Sequence, residues 1–250
     1  EAEPLIRRLV VIGGSADDGG GMLIQGRANI ADSAFYSNVA TVGNGGALRA
    51  TGTLALSNVR FMGNSSAGSG GAVAAEGFTA NIQNSLFDGN TAGQNGGGLS
   101  ATTSQVILSI GQSTFYSNST KIYGGGLHNA GTIVLTNSVF VSNTVYSTVT
   151  AASGGAAYVE GSAWITASQF LSNSASTGGA FGGFASLTSA FNVFINNHSN
   201  GGGGGAVHCM NSCIADINTN LFVRNRDLTG QQLSANAISL AGLSQTIRNT

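Results

Sequence analysis

Few residues in this chain are equipped for proton chemistry. Its 250 residues include three His and five Tyr, with nine Lys plus Arg set against ten Asp plus Glu. His128, Tyr158 and His208, with Glu160 beside Tyr158, are the candidates for a catalytic or binding patch. A His or Tyr base next to a neutralising cation suits abstraction of a proton beside a carboxylate, the step a polysaccharide lyase or epimerase needs. Lys121 is the nearest candidate cation, because it lies in the segment leading to His128. Metal chemistry is poorly provided for. The three His lack ligand spacing, and Asp17-Asp18 is an isolated acidic pair, so neither a metal nor a cofactor is expected. Cys209 and Cys213 would be too far apart for a disulfide along one extended strand. Across a sharp corner they could pair, and two buried thiols are the other reading. A disulfide would point to an oxidising compartment.

These residues lie 30 and 50 positions apart, from His128 to Tyr158 and from Tyr158 to His208, so a patch requires a fold that brings distant residues into one column. An internal repeat supplies it. Phe-x-x-Asn occurs at Phe35, Phe61, Phe87, Phe115, Phe140, Phe170, Phe194 and Phe222, at steps of 24 to 30 residues. A Gly-Gly-small-apolar motif runs in phase, as in Gly45-Gly46-Ala47-Leu48 and Gly70-Gly71-Ala72-Val73. Within each unit, short runs alternate apolar and polar, which marks strands with one buried face. A unit of this size cannot enclose a core alone, so the units must stack. The spacing predicts an all-β, right-handed parallel β-helix of about eight coils, with three strands per coil and one domain over residues 1–250. Residues 1–12 would be an N-terminal cap or an incoming strand. Residues 237–250 would be an incomplete last coil. That coil lacks a polar cap, so either the chain continues in a longer protein or a partner covers this end.

Stacking in register assigns each column a role. Phe forms an aromatic ladder inside the tube. Asn forms an amide ladder at a corner. The glycosylation sequons at Asn64, Asn118 and Asn197 fall in that ladder and are expected to carry no glycan. The Gly pairs mark a bend that needs φ > 0 or close backbone approach. Outward positions of the first strand bring His128, Tyr158, Glu160 and His208 within about four rungs. Outward positions of the third strand are apolar toward the C-terminal half, at Val141, Leu171, Ile195 and Val223, as an interface or a covered face would be. The insertion 144–153 is expected to fold over neighbouring coils or to bind something. Thr53, Thr79 and Thr132 share one outward column, which would suit ice binding, but Ile107 interrupts it.

Composition narrows the class. Charged residues are 8% and hydrophobic residues 42%, with 39 Gly and one Pro. Disorder and collagen are excluded. A net charge of −1 leaves no footprint for nucleic acid, and no apolar run approaches a membrane span. The opening segment has no signal-peptide pattern. The paired Gly-Gly-Ala-(Leu/Val) and Phe-x-x-Asn motifs resemble the repeat of the chlamydial polymorphic outer membrane proteins, over roughly residues 13–241. They are similar also to wider families of right-handed β-helix repeats on bacterial surfaces. The resemblance implies an extracellular or cell-surface passenger domain, often adhesive, within a longer polypeptide. The expected function is therefore a non-enzymatic structural or adhesive module that binds protein or glycan through strand faces and coil ends. Contacts are expected at Tyr158, Glu160, Val141, Leu171, Ile195 and Val223. Self-association or a protein partner would use the third-strand face or the open C-terminal coil. A lyase or epimerase is the alternative, and ice binding ranks third.

Overall fold

A computed structural model describes residues 5–147, 153–210, 213–228, 238–240 and 244–248. The described residues form strands and turns without a helix. One coil shows the rule: strands Leu48–Ala50, Leu54–Ser57, Arg60–Met62 and Ser65–Ser66 follow one another, and each pairs in parallel with its counterparts one repeat away. The result is a parallel β-solenoid of about eight turns. Its four sheets hold nine, ten, nine and nine described strands in that order around the coil.

Each coil thus has four strands, not the three that the alternation predicts. The fourth is only two residues long and follows the Asn of Phe-x-x-Asn. Two residues are too few to show a period, so apolar patterning cannot reveal it. Its neighbours hold it in place, since Ser65 pairs with both Val39 and Thr91.

The inward columns are as the repeat requires. Phe61 lies in register with Phe35 and Phe87, and the rings of the Phe-x-x-Asn column from Phe35 to Phe194 are buried. Successive centroids are 4.5 to 5.3 Å apart in stacked geometry. Each Asn then joins the next coil twice. Asn118 donates both its backbone N–H (3.0 Å) and its Nδ2 (2.9 Å) to Asn143 Oδ1. Asn143 repeats the pattern on Asn173. The amides of Asn64, Asn118 and Asn197 are buried and committed to these bonds, which leaves them inaccessible to a glycan.

A second polar ladder, not anticipated from the repeat, lies two residues before Phe. Ser85, Ser113, Ser138 and Ser168 are buried, and Ser113, Ser138 and Ser168 each accept the backbone N–H of the Ser one coil earlier. Two corners are turned by residues in the left-handed region. Ser117 (φ 51°) and Ser142 (φ 55°) occupy the third place of Phe-x-x-Asn, and Asn84 (φ 51°) and Asn137 (φ 49°) follow the second strand. Asn tolerates that conformation well, and each corner recurs at the same place in the stack.

At the N-terminus, Leu5–Arg7 and Val10–Ile12 pair in parallel with Ala28–Ala31 and Ala34–Tyr36, and Val11 takes the place of Phe in its column. At the other end, Ile238–Leu240 and Ser244–Arg248 extend the first- and second-strand sheets. Of the insertion, Thr144–Val145 belongs to the fourth-strand sheet and Ser153 bridges Tyr123 and Thr177. Residues 148–152 lie outside the described residues, and with them the expectation that the insertion covers its neighbours.

Asn143→Ala would leave the Asn118 N–H and the Phe115 carbonyl without these partners in a buried site. Unsatisfied buried groups cost about 1–3 kcal/mol each. Urea unfolding of this variant should show a loss of about 3 kcal/mol; an unchanged midpoint would mean that the ladder contributes nothing net.

Candidate functional site

Around Ser100 and His128 the outward side of the first strand is not an open face. Gly124 adopts φ +67°, which folds the chain back so that the preceding Tyr123 lies outside the strand that follows. A Cβ on Gly125 would strike the backbone of Thr144 and Gly155, so only Gly allows this close approach. Bridges from Asn95 to Tyr123, Ser153 and Thr177 continue the same covering line along the rod. Beneath it, Ser100 and His128 are 0% and 4% exposed although both point outward.

The register brings Ser100, His128 and Tyr158 onto successive rungs, with Glu160 at the end of the Tyr158 strand. His128 Nε2 is 3.1 Å from Glu160 Oε1, and His128 Nδ1 is 3.1 Å from Ser100 Oγ. An ionised carboxylate can only accept, which assigns a proton to Nε2. In the neutral ring, Ser100 Oγ–H then donates to Nδ1. The chain Ser–His–Glu has the members of a nucleophilic triad, but the hydroxyl that would attack is sealed from solvent. The hydrogen bond from His128 holds the Glu160 carboxyl below its ordinary range, against a smaller opposing effect of burial. Tyr158 stacks on Tyr123 with centroids 4.2 Å apart. Burial, with the nearby Tyr123 and Glu160, pushes its phenol up to about 12, the wrong direction for a base at neutral pH.

The other candidates do not join this cluster. Gly182 separates His208 from Tyr158 by one rung, and Ser153 Oγ occupies the place where a Gly182 side chain would stand. Burial lowers the His208 imidazole, and Asp227 opposes this only in part. Lys121 is exposed, and the Glu160 carboxylate is paired with His128 instead. Arg49, three rungs from His128, is held by Asp18 (2.9 Å) and Glu76 (2.8 Å), with Asn44 Nδ2 also donating to Glu76. Among the described residues, no group of three or more His, Cys, Asp or Glu could hold a metal. Cys209 and Cys213 are joined as a disulfide, with Cα atoms 5.9 Å apart. Ser100 and Tyr123 complete the cluster and were not singled out from the sequence. The signal for Tyr123 was its place immediately before a Gly pair.

The third-strand candidates form the expected column. Val141 pairs with Leu171, Leu171 with Ile195 and Ile195 with Val223, and all four are half-buried. Tyr116, 47% exposed, extends the column by one rung.

The Chlamydia polymorphic membrane protein repeat matches this chain twice, over residues 58–76 and 84–102. Each match spans one Phe-x-x-Asn and the Gly-Gly motif that opens the next first strand. No curated protein and no solved structure matches the chain.

The titrating groups give this region a pH dependence with a definite sign. His208 is depressed in the fold, so its contribution is complete above its ordinary value of 6.5 and is lost as pH falls through the lower folded value. Glu160, also depressed, adds a loss below its ordinary 4.5. The thermal midpoint should therefore fall on acidification from about pH 7 to about pH 5. His208→Asn should flatten that segment, and a variant curve parallel to the parent would remove His208 as its cause.

Proposed function

We propose that this chain is a non-enzymatic structural or adhesive module of a cell-surface assembly. The observation that carries this reading is the pair of polymorphic membrane protein repeat matches inside an unbroken solenoid. That repeat is named for membrane proteins, and a rod of stacked coils suits display of repeated faces at a surface. Its winding is read as right-handed, the hand that about 98% of parallel strand–crossover–strand connections adopt. Against the lyase or epimerase alternative weigh a sealed Ser100–His128 pair, a Tyr158 phenol raised rather than lowered, and an Arg49 already neutralised by two carboxylates.

The docking face of this module is the apolar third-strand column, and its occupant is a second copy of the same chain. Periodicity argues for this choice. Val141, Leu171, Ile195 and Val223 recur once per rung, at the ~4.8 Å spacing of paired strands. A second solenoid presents apolar side chains at the same interval, so the two columns can interdigitate over several rungs. The face also carries little charge, which lowers the cost of desolvating it.

Sedimentation of the purified chain should show a concentration-dependent dimer. Leu171→Lys combined with Ile195→Lys should shift it to monomer while the circular dichroism stays that of the parent. A parent that remains monomeric at high concentration, or a dimer indifferent to these substitutions, would overturn the self-association.

A further inference from the structure

The corner after the first strand contains a recess one coil wide. In that coil the strand Phe181–Gly183 carries two glycines at its outer end. Ser153 Oγ fills the place of a Gly182 side chain, and Gly183, at φ +99°, leaves the corner without one. A Cβ there would strike Val159 O and come within 3.2 Å of Tyr158 Cε2, so the Tyr158 ring borders the recess directly. On the far side stands Met210, next to the Cys209–Cys213 disulfide that ties its corner. Tyr158, Glu160, Gly183, Phe184, Ala185 and Met210 line an open hollow of about 360 Å³.

The chemistry of the lining is one-sided. Among the described residues that line it Glu160 is the only charged group, beside an aromatic ring and a thioether. Its carboxylate is not a loose surface group. Oε1 is held by His128, which is buried and oriented in turn by Ser100. Oε2 makes no hydrogen bond among the described residues. Tyr158 is likewise fixed, by stacking on Tyr123. Phe184 holds φ +78°, an uncommon conformation for an aromatic residue and one often retained at ligand sites. An oriented carboxylate beside an aromatic ring in an apolar recess is complementary to an ammonium group on an aliphatic carrier, through a charge-assisted hydrogen bond and a cation–π contact.

We propose that the recess between Tyr158, Glu160 and Met210 is a binding site for a primary ammonium group, of the kind carried by a lysine side chain or an amino sugar. The Ser100–His128 pair serves as its support and holds Glu160 in position. This goes beyond the dimer of the third-strand face, because the recess lies at a different corner of the coil and neither site requires the other.

Titration calorimetry and chemical-shift mapping on the intact chain would use Nα-acetyl-lysine amide and glucosamine as probes, with Nα-acetyl-norleucine amide as the uncharged isostere. At least one amine should bind and shift the Tyr158 and Met210 resonances. The norleucine derivative should bind about tenfold more weakly, and binding should weaken with added salt. Which amine binds distinguishes a protein source from a glycan source. Glu160→Gln should lose about tenfold in amine affinity, and Tyr158→Leu should lose affinity with Glu160 intact. Melting curves verify that both variants are folded. Equal binding of amine and isostere, full affinity in Glu160→Gln, or no binding by either amine would each overturn the proposal. Sedimentation of Glu160→Gln should match the parent, so failure of this site and failure of the third-strand dimer are read separately.

Discussion

The backbone of each coil directs its N–H and C=O groups along the axis of the rod, so their partners lie on the coils before and after it. Side chains obey the same rule. Asn143 accepts from Asn118 and donates to Asn173, and Ser113 accepts from Ser85. A single coil leaves these groups unpaired and its apolar residues wet, so stability resides in the interfaces between coils. This constraint accounts for the composition. A charge on an inward position would be buried without a partner, and a large residue at a Gly-Gly bend would strike the neighbouring backbone, as a Cβ on Gly125 would.

The same constraint shapes the chemistry on the surface. From Asn95 to Thr177 the residue before each Gly pair bridges to its counterpart one coil away, and beneath this line the outward positions Ser100 and His128 are covered. Ser100 and His128 are removed from solvent by this covering line rather than by the core. Where a glycine coil interrupts the column, at Gly182 and Gly183, the cover leaves an opening at the corner, and there Glu160 and Tyr158 remain accessible. A column that alternates between cover and recess suits recognition of small groups better than it suits a base that must meet a bulky polymer.

The third-strand face is governed by a different balance. Among the described residues its outward side chains lie under no bridged segment of the kind that runs from Asn95 to Thr177, so residue type sets its character. Val, Leu and Ile at successive rungs produce a continuous apolar ridge that is only half buried. The repeat thus yields two unlike faces on one rod, one carrying Ser100, His128, Tyr158 and His208 and the other a ridge of Val, Leu and Ile.

The sequence by itself determined the repeat, the inward Phe and Asn columns and the register that places His128 one rung from Tyr158, because identical residues at one period report stacking directly. It did not reveal the fourth strand, since two residues carry no alternation, nor the left-handed corners at Ser117 and Asn137, since Ser and Asn are common in turns of many kinds. It left Cys209 and Cys213 open, because spacing does not fix the angle of a corner. Only the tertiary structure decided which outward residues meet solvent. Pattern assigns a side chain to a face, but exposure depends on whether another segment crosses that face, and here a backbone bend at glycine, not the polarity of the covered residues, set that crossing.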